Sequence, residues 1–188
     1  MRRSVGYALL FAWIALAGGV QLFAQAWTPH VGGAVEPALR ALVPDLMTLV
    51  LVAAVGRLAR RDAVALAAVA AAARTAFTAS PPFAVLAGTI AVTLIADTIR
   101  RFAELDRPSL RFVAAGAGAL AFGLWLLFVD LARASDARVT DRLGFADLQP
   151  AHVVLPFATA FVTAAVGLLL WPVLVQLPGL RQLERRAF

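Results

Sequence analysis

The run RRFAELDRPSLR at residues 100–111 places four arginines, one glutamate and one aspartate between two strongly apolar segments, Phe83–Ile99 and Phe112–Val129. Each flank reaches the length of a bilayer crossing, which takes ~20 residues with ~17 as a lower limit. Arginine crowded into a short gap between two such segments marks a turn on the cytoplasmic face. Moving outward, the same alternation repeats along the chain. It predicts membrane spans at about 5–27, 42–56, 63–79, 83–99, 112–130 and 153–177.

All seventeen basic residues are arginine. With both termini inside, twelve fall on the inner face: Arg2, Arg3, Arg57, Arg60, Arg61, Arg100, Arg101, Arg107, Arg111, Arg181, Arg185 and Arg186. Four fall outside (Arg40, Arg133, Arg138, Arg142), and Arg74 lies within a span. That asymmetry is the positive-inside pattern. The expectation is an all-α membrane protein, a polytopic bundle of six transmembrane helices with both termini cytoplasmic, in an inner membrane.

Composition agrees with this reading. At 62% hydrophobic, 15% charged and a mean hydropathy of +0.84, the chain carries too much apolar surface to keep from water. The net charge of +6 is accounted for by arginines facing anionic headgroups, so membrane lipids rather than nucleic acid are the expected contact. The absence of cysteine excludes disulfides, thiol catalysis and cysteine-held metal centres. Two histidines, His30 and His152, are too few for a metal site, and no cofactor is expected.

The first apolar run ends in Ala24-Gln25-Ala26, the small-x-small form of a cleavage site, but it exceeds the core of a usual signal peptide and reads as a first transmembrane helix. The second run is uninterrupted only from Leu46 to Val55, so it must recruit Leu42–Asp45 to reach across. The alanine-rich third run, Ala63–Ala73, permits close helix approach and is expected to be buried in the bundle. The outer segment Ala132–Gln149, balanced in charge, reads as a short surface helix. Trp27 belongs at an interface, whereas Trp13, Trp125 and Trp171 read as packing residues.

Ionisable groups within spans are functional candidates by default. Arg74 lies about six residues from the outer end of its span, ~9 Å deep at 1.5 Å per residue. Asp45 opens the neighbouring span from the same side, which makes it the expected partner, with Asp130 as the alternative and outward snorkelling as the bland outcome. Asp97 precedes Arg100 and Arg101 by three and four residues, the spacing of local ion pairs. No nucleophile, base and orienter fall together, and there is no phosphate-binding glycine loop or His-Glu-x-x-His. A non-enzymatic role is therefore expected. Pro156 and Pro172 are placed to break the last span, and Ala8-x-x-x-Ala12 has the small-x-x-x-small form of a helix-docking face.

Three features resemble the rod shape-determining membrane protein family, MreD, of the bacterial elongation machinery. Val43-Pro44-Asp45-Leu46, followed by the aliphatic run Met47–Val52, looks like the family's Pro-Asp/Asn-Leu opening. The segment Thr163–Leu174, containing Trp171-Pro172 and followed by the basic Arg181–Arg186, is similar to its final helix. Size and topology agree along the whole chain. The chain departs from the family at Ala71–Pro82, where Arg74 stands in place of an expected acid. The resemblance implies a scaffold that binds the single-pass protein MreC and, through it, the transpeptidase and glycosyltransferase of the elongation complex. Pro44, Asp45, Arg74, Asp130, Trp171 and Pro172 would then be its structural or partner-binding residues. The alternative is a substrate-capture subunit resembling the S components of energy-coupling-factor transporters. A small enzyme acting on a lipid-linked substrate is a third, weaker reading.

Overall fold

The computed structural model describes residues 2–27, 39, 42–78, 80–102, 107–136, 150–180 and 183. Within them the chain is all helical: α1 Arg2–Ala26, α2 Leu46–Val55, α3 Arg60–Thr75, α4 Pro82–Phe102, α5 Pro108–Asp136 and α6 Pro150–Leu174. Proline opens α4, α5 and α6. Its fixed φ suits the first helical position, and its missing N–H would have had no partner there. These starts lie upstream of the apolar runs, so the helices extend past the hydrophobic stretch into the polar flanks.

Four helices are long and apolar enough to cross a bilayer: Arg3–Ala26, Pro82–Phe102, Pro108–Arg133 and Val153–Leu174. This is a membrane protein by the length and composition of those helices. The two between α1 and α4 differ. α2 has ten residues, ~15 Å at 1.5 Å per residue, about half the hydrocarbon thickness. Leu42–Asp45 do not lengthen it, because the Asp45 side chain caps its first turn and fixes the start at Leu46. α3 has sixteen residues, with Asp62 in its first turn and Arg74 in its last, each opposing the helix dipole.

The short helix forms the core. Every side chain of α2 from Met47 to Val55 is buried, and α1, α3, α4, α5 and α6 all pack around it. The expectation that the alanine-rich helix would be the buried one needs correcting. α3 buries one face through Ala63, Leu66, Ala67, Ala70, Ala71 and Arg74, while Val64 is 51% exposed and Ala65, Ala68 and Ala72 lie open. Bulk decides the difference. Leucine, valine and methionine on every side of α2 give it apolar contacts all round, whereas alanine lets α3 approach closely on one side only.

Glycine brings two neighbours within reach of α2. A Cβ on Gly167 of α6 would stand 2.8 Å from Leu49 Cδ2, and one on Gly18 of α1 would collide with the end of Met47 and come 2.8 Å from the Phe77 ring. Pro156 and Pro172 do not break α6, which runs through both. Pro156 packs on α5, where a Cβ on Gly123 would come within 3.1 Å of it.

Beyond α6 the chain turns at Gly179, whose φ of 102° lies in the left-handed region. It then buries Leu180 and Leu183, with Leu183 against Gly6 of α1. Trp27 is 75% exposed, Trp171 is buried, and Trp125 donates its indole N–H to the Ala84 carbonyl at 2.7 Å. The loop Thr28–Ala41, apart from Leu39, falls outside the described residues. So do residues 137–149 of the expected surface helix, whose first part is instead the continuation of α5 to Asp136.

Gly167→Leu is expected to cost about 1–3 kcal/mol through overpacking against Leu49. Thermal unfolding in detergent measures it, with Gly19→Leu as control because nothing lies within 4 Å of a Cβ there. Equal melting of both variants with the wild type would show that α2 does not need this close approach.

Candidate functional site

Asp45 ends the non-helical approach to α2. Its Oδ1 accepts from the Thr48 amide at 3.0 Å, closing the first turn. The Thr48 hydroxyl donates to Asp45 Oδ2 at 2.7 Å and accepts from Arg74 Nη1 at 3.0 Å. Arg74 Nη2 donates to Asp45 Oδ2. The Asp45 amide donates to Thr163 Oγ1 on α6 at 2.8 Å. The guanidinium carbon of Arg74 lies 3.6 Å from the centroid of the Phe122 ring on α5, close enough for a cation–π contact. One ion pair thus ties α2, α3, α5 and α6 together.

Arg74 and Asp45 are 6% and 5% exposed. Arginine points into the bundle toward its counter-ion rather than outward along its stem. A buried pair repays its desolvation only when the remaining donors and acceptors are also met. Thr48, the backbone of α2 and the Phe122 face supply those contacts, so the pair acts as a strut.

The other expected site residues are dispersed. Pro44 is half-buried immediately before the cap. Asp130 is exposed at the rim of a cleft above the pair, and the carboxylate that meets Arg74 is Asp45. Trp171 lies eight residues beyond Thr163 on α6, ~12 Å along the axis. There the Arg111 guanidinium carbon is 5.4 Å from its ring centroid. Pro172 is exposed next to it. The structure therefore brings together Pro44, Asp45 and Arg74, and leaves Trp171 and Pro172 elsewhere.

A second set of charges occupies the opposite end of the bundle. Tyr7 donates its hydroxyl to Asp62 Oδ1 at 2.7 Å, with Arg3 Nη1 at 3.9 Å from the same oxygen. Asp97 accepts from Arg101 Nη2 at 2.8 Å and Nε at 3.1 Å, with Arg60 Nε at 3.8 Å. Arg100 does not join Asp97 as its spacing suggested. Its Nη1 donates to the carbonyl of Val55 at 2.8 Å and to that of Leu58. The physical reason is that the Val55 carbonyl at the end of α2 lacks a helical partner, and a guanidinium supplies fixed donors to it and to the Leu58 carbonyl of the turn that follows. Asp62 was not legible as a buried charge because it follows Arg57, Arg60 and Arg61 in what reads as a loop.

The cleft above the strut has a volume of about 420 Å³ and is walled by α1, α2, α5 and α6, by Arg74 of α3 and by the residues that follow it. Among the described residues no three of His, Cys, Asp and Glu cluster as metal ligands. His30 lies outside the described residues. No protein-family model, curated protein or solved structure matches this chain.

Arg74→Met should lower stability by about 3–5 kcal/mol by leaving the Asp45 carboxylate buried without its counter-ion. The double variant with Asp45→Asn should recover part of that loss. Detergent melts of the two singles and the double form the cycle; a wild-type melt for Arg74→Met would remove the strut from the account of the fold.

Proposed function

We propose that this chain is a multi-pass protein of a bacterial inner membrane, crossing six times with both termini cytoplasmic, and that it serves as a non-enzymatic scaffold of the MreD kind. In this reading it holds MreC and, through it, the peptidoglycan synthases of the elongation complex, and so contributes to cell shape. The observation that supports it most is an apolar groove of about 170 Å³ between α1 and α6, lined by Trp13, Leu16, Val20, Leu170 and Val173, with Leu46, Leu49 and Val50 of α2 as its floor. A single transmembrane helix is a fitting occupant, since association within lipid rests on close packing between complementary surfaces.

Two further features favour this reading. The buried acids Asp45, Asp62 and Asp97 each meet a group on another helix of this chain, Arg74, Tyr7 and Arg60, so none of the three is left over for a partner and the groove offers apolar contact. The turn at Gly179 packs on Gly6, which brings the two ends of the described chain to one end of the bundle, as an even number of crossings requires.

Purification of the tagged full chain from native membranes in mild detergent, followed by mass spectrometry, is expected to recover MreC and the synthases. Leu16→Trp combined with Val173→Trp fills the groove at positions 56% and 62% exposed, and should lose that recovery while the melt is unchanged. Recovery of an ATPase pair with a coupling subunit would overturn the scaffold reading in favour of a transporter.

A further inference from the structure

The cleft beside the strut contains polar atoms that the fold leaves unanswered. Gln21 Oε1, on α1, and Thr78 Oγ1, just beyond α3, are both buried, and neither has a hydrogen-bond partner among the described residues. Both residues line the same cleft. A buried oxygen without a partner is costly and uncommon, and two from separate elements around one cavity indicate a shared guest. The walls beside them are apolar, with Phe77, Phe122, Leu126 and Pro156, and the volume of about 420 Å³ is within the range of small-molecule sites.

Charge selects the class of guest. Arg74 is the cation at the floor, but Asp45 and Thr48 engage its two terminal nitrogens, and Asp45 neutralises it at contact distance. The carboxylate of Asp130 stands exposed at the rim. Gln21 Oε1 is an acceptor only, and the Thr78 hydroxyl can accept as well as donate. Gln25 and Thr159 also line the cleft, but each already has an interaction partner, so among the described residues the groups left over there are the two orphaned oxygens and the exposed Asp130 carboxylate. We propose that the cleft binds a small amphipathic amine, its ammonium directed to Gln21, Thr78 and the rim carboxylate and its apolar body against Phe77 and Phe122. The inference is independent of the scaffold reading, since the groove between α1 and α6 is a different surface.

The chain has no cysteine, so one introduced thiol reports the cleft alone. Thr78→Cys in the full-length protein in detergent would be labelled with methanethiosulfonate reagents of similar size, one bearing an ethylammonium and the other an ethylsulfonate. Rates are normalised to Trp27→Cys, at a position 75% exposed just beyond the end of α1. The cationic reagent is expected to be favoured by about tenfold over that control, through focusing of the carboxylate field in a low-dielectric cleft. Asp130→Asn should abolish the preference. Tryptamine should protect the thiol of Thr78→Cys while indole-3-propionate does not, and neither should protect the thiol of Trp27→Cys.

Equal normalised rates, no reaction of the Thr78→Cys thiol in a protein that melts normally, or protection by both indoles alike would each overturn the proposal. The first two outcomes would leave a hydrated or closed structural gap, and the third a merely apolar one. If Thr78→Cys does not fold, Gln21→Cys reports on the same cleft by the same criteria. Recovery of MreC is unaffected by any of these outcomes, so failure here and failure of the scaffold reading are separable.

Discussion

A helix of ten residues surrounded on every side by other helices has four amide N–H groups at one end and four carbonyls at the other that its own turns cannot satisfy. Water is not at hand in the middle of such a bundle, and an unsatisfied backbone group there costs several kcal/mol. Much of the polar architecture follows from that constraint. Asp45 meets the amino end through the Thr48 amide, and Arg100 meets the carboxyl end through Val55 and Leu58. Both charges have the sign that the helix dipole favours. An acid introduced for capping then needs its own counter-ion, which is Arg74, and Arg74 in turn lies on Phe122.

The sequence made some of this visible. Alternation of apolar runs with arginine clusters identified the helices and their order, because bilayer thickness imposes a length and headgroups attract basic residues regardless of how the helices pack. Asp45 and Arg74 stood out because a charge within an apolar run has few explanations. Lateral arrangement left no comparable trace. Whether Ala63–Ala73 or Leu46–Val55 lies at the centre depends on which faces meet, and α2 has no polar face to reveal that it has no exterior. Arg100 and Arg101 have nearly equivalent spacing from Asp97, yet only Arg101 reaches it, since the carbonyls that draw Arg100 away belong to the end of α2 and the turn after it, 42 to 45 residues earlier. Proline at positions 82, 108 and 150 would have fixed three helix starts more closely than hydropathy did.

Two surfaces among the described residues have opposite chemistry. The groove between α1 and α6 is apolar and suits a helix, while the cleft beside the strut presents acceptors and suits a small polar head. They share α2, whose Met47 lines the cleft and whose Leu46, Leu49 and Val50 floor the groove. A guest at either surface therefore rests against the same rigid element, held at one end by Asp45 and at the other by Arg100.

The bond from the Asp45 amide to Thr163 spans 118 residues, whereas the bonds from Arg74 to Asp45 and Thr48 span 29 and 26. During synthesis the chain emerges from its amino end, so these contacts become available at different times. Charge neutralisation between α2 and α3 needs only the first half of the protein and can precede the packing of α4, α5 and α6 around them. The last ligand of the cap arrives only with the final helix, and so does the Gly179 turn that clasps the first helix. Until then α1 to α3 can hold the Asp45–Arg74 pair but lack the contacts that α6 makes with α2.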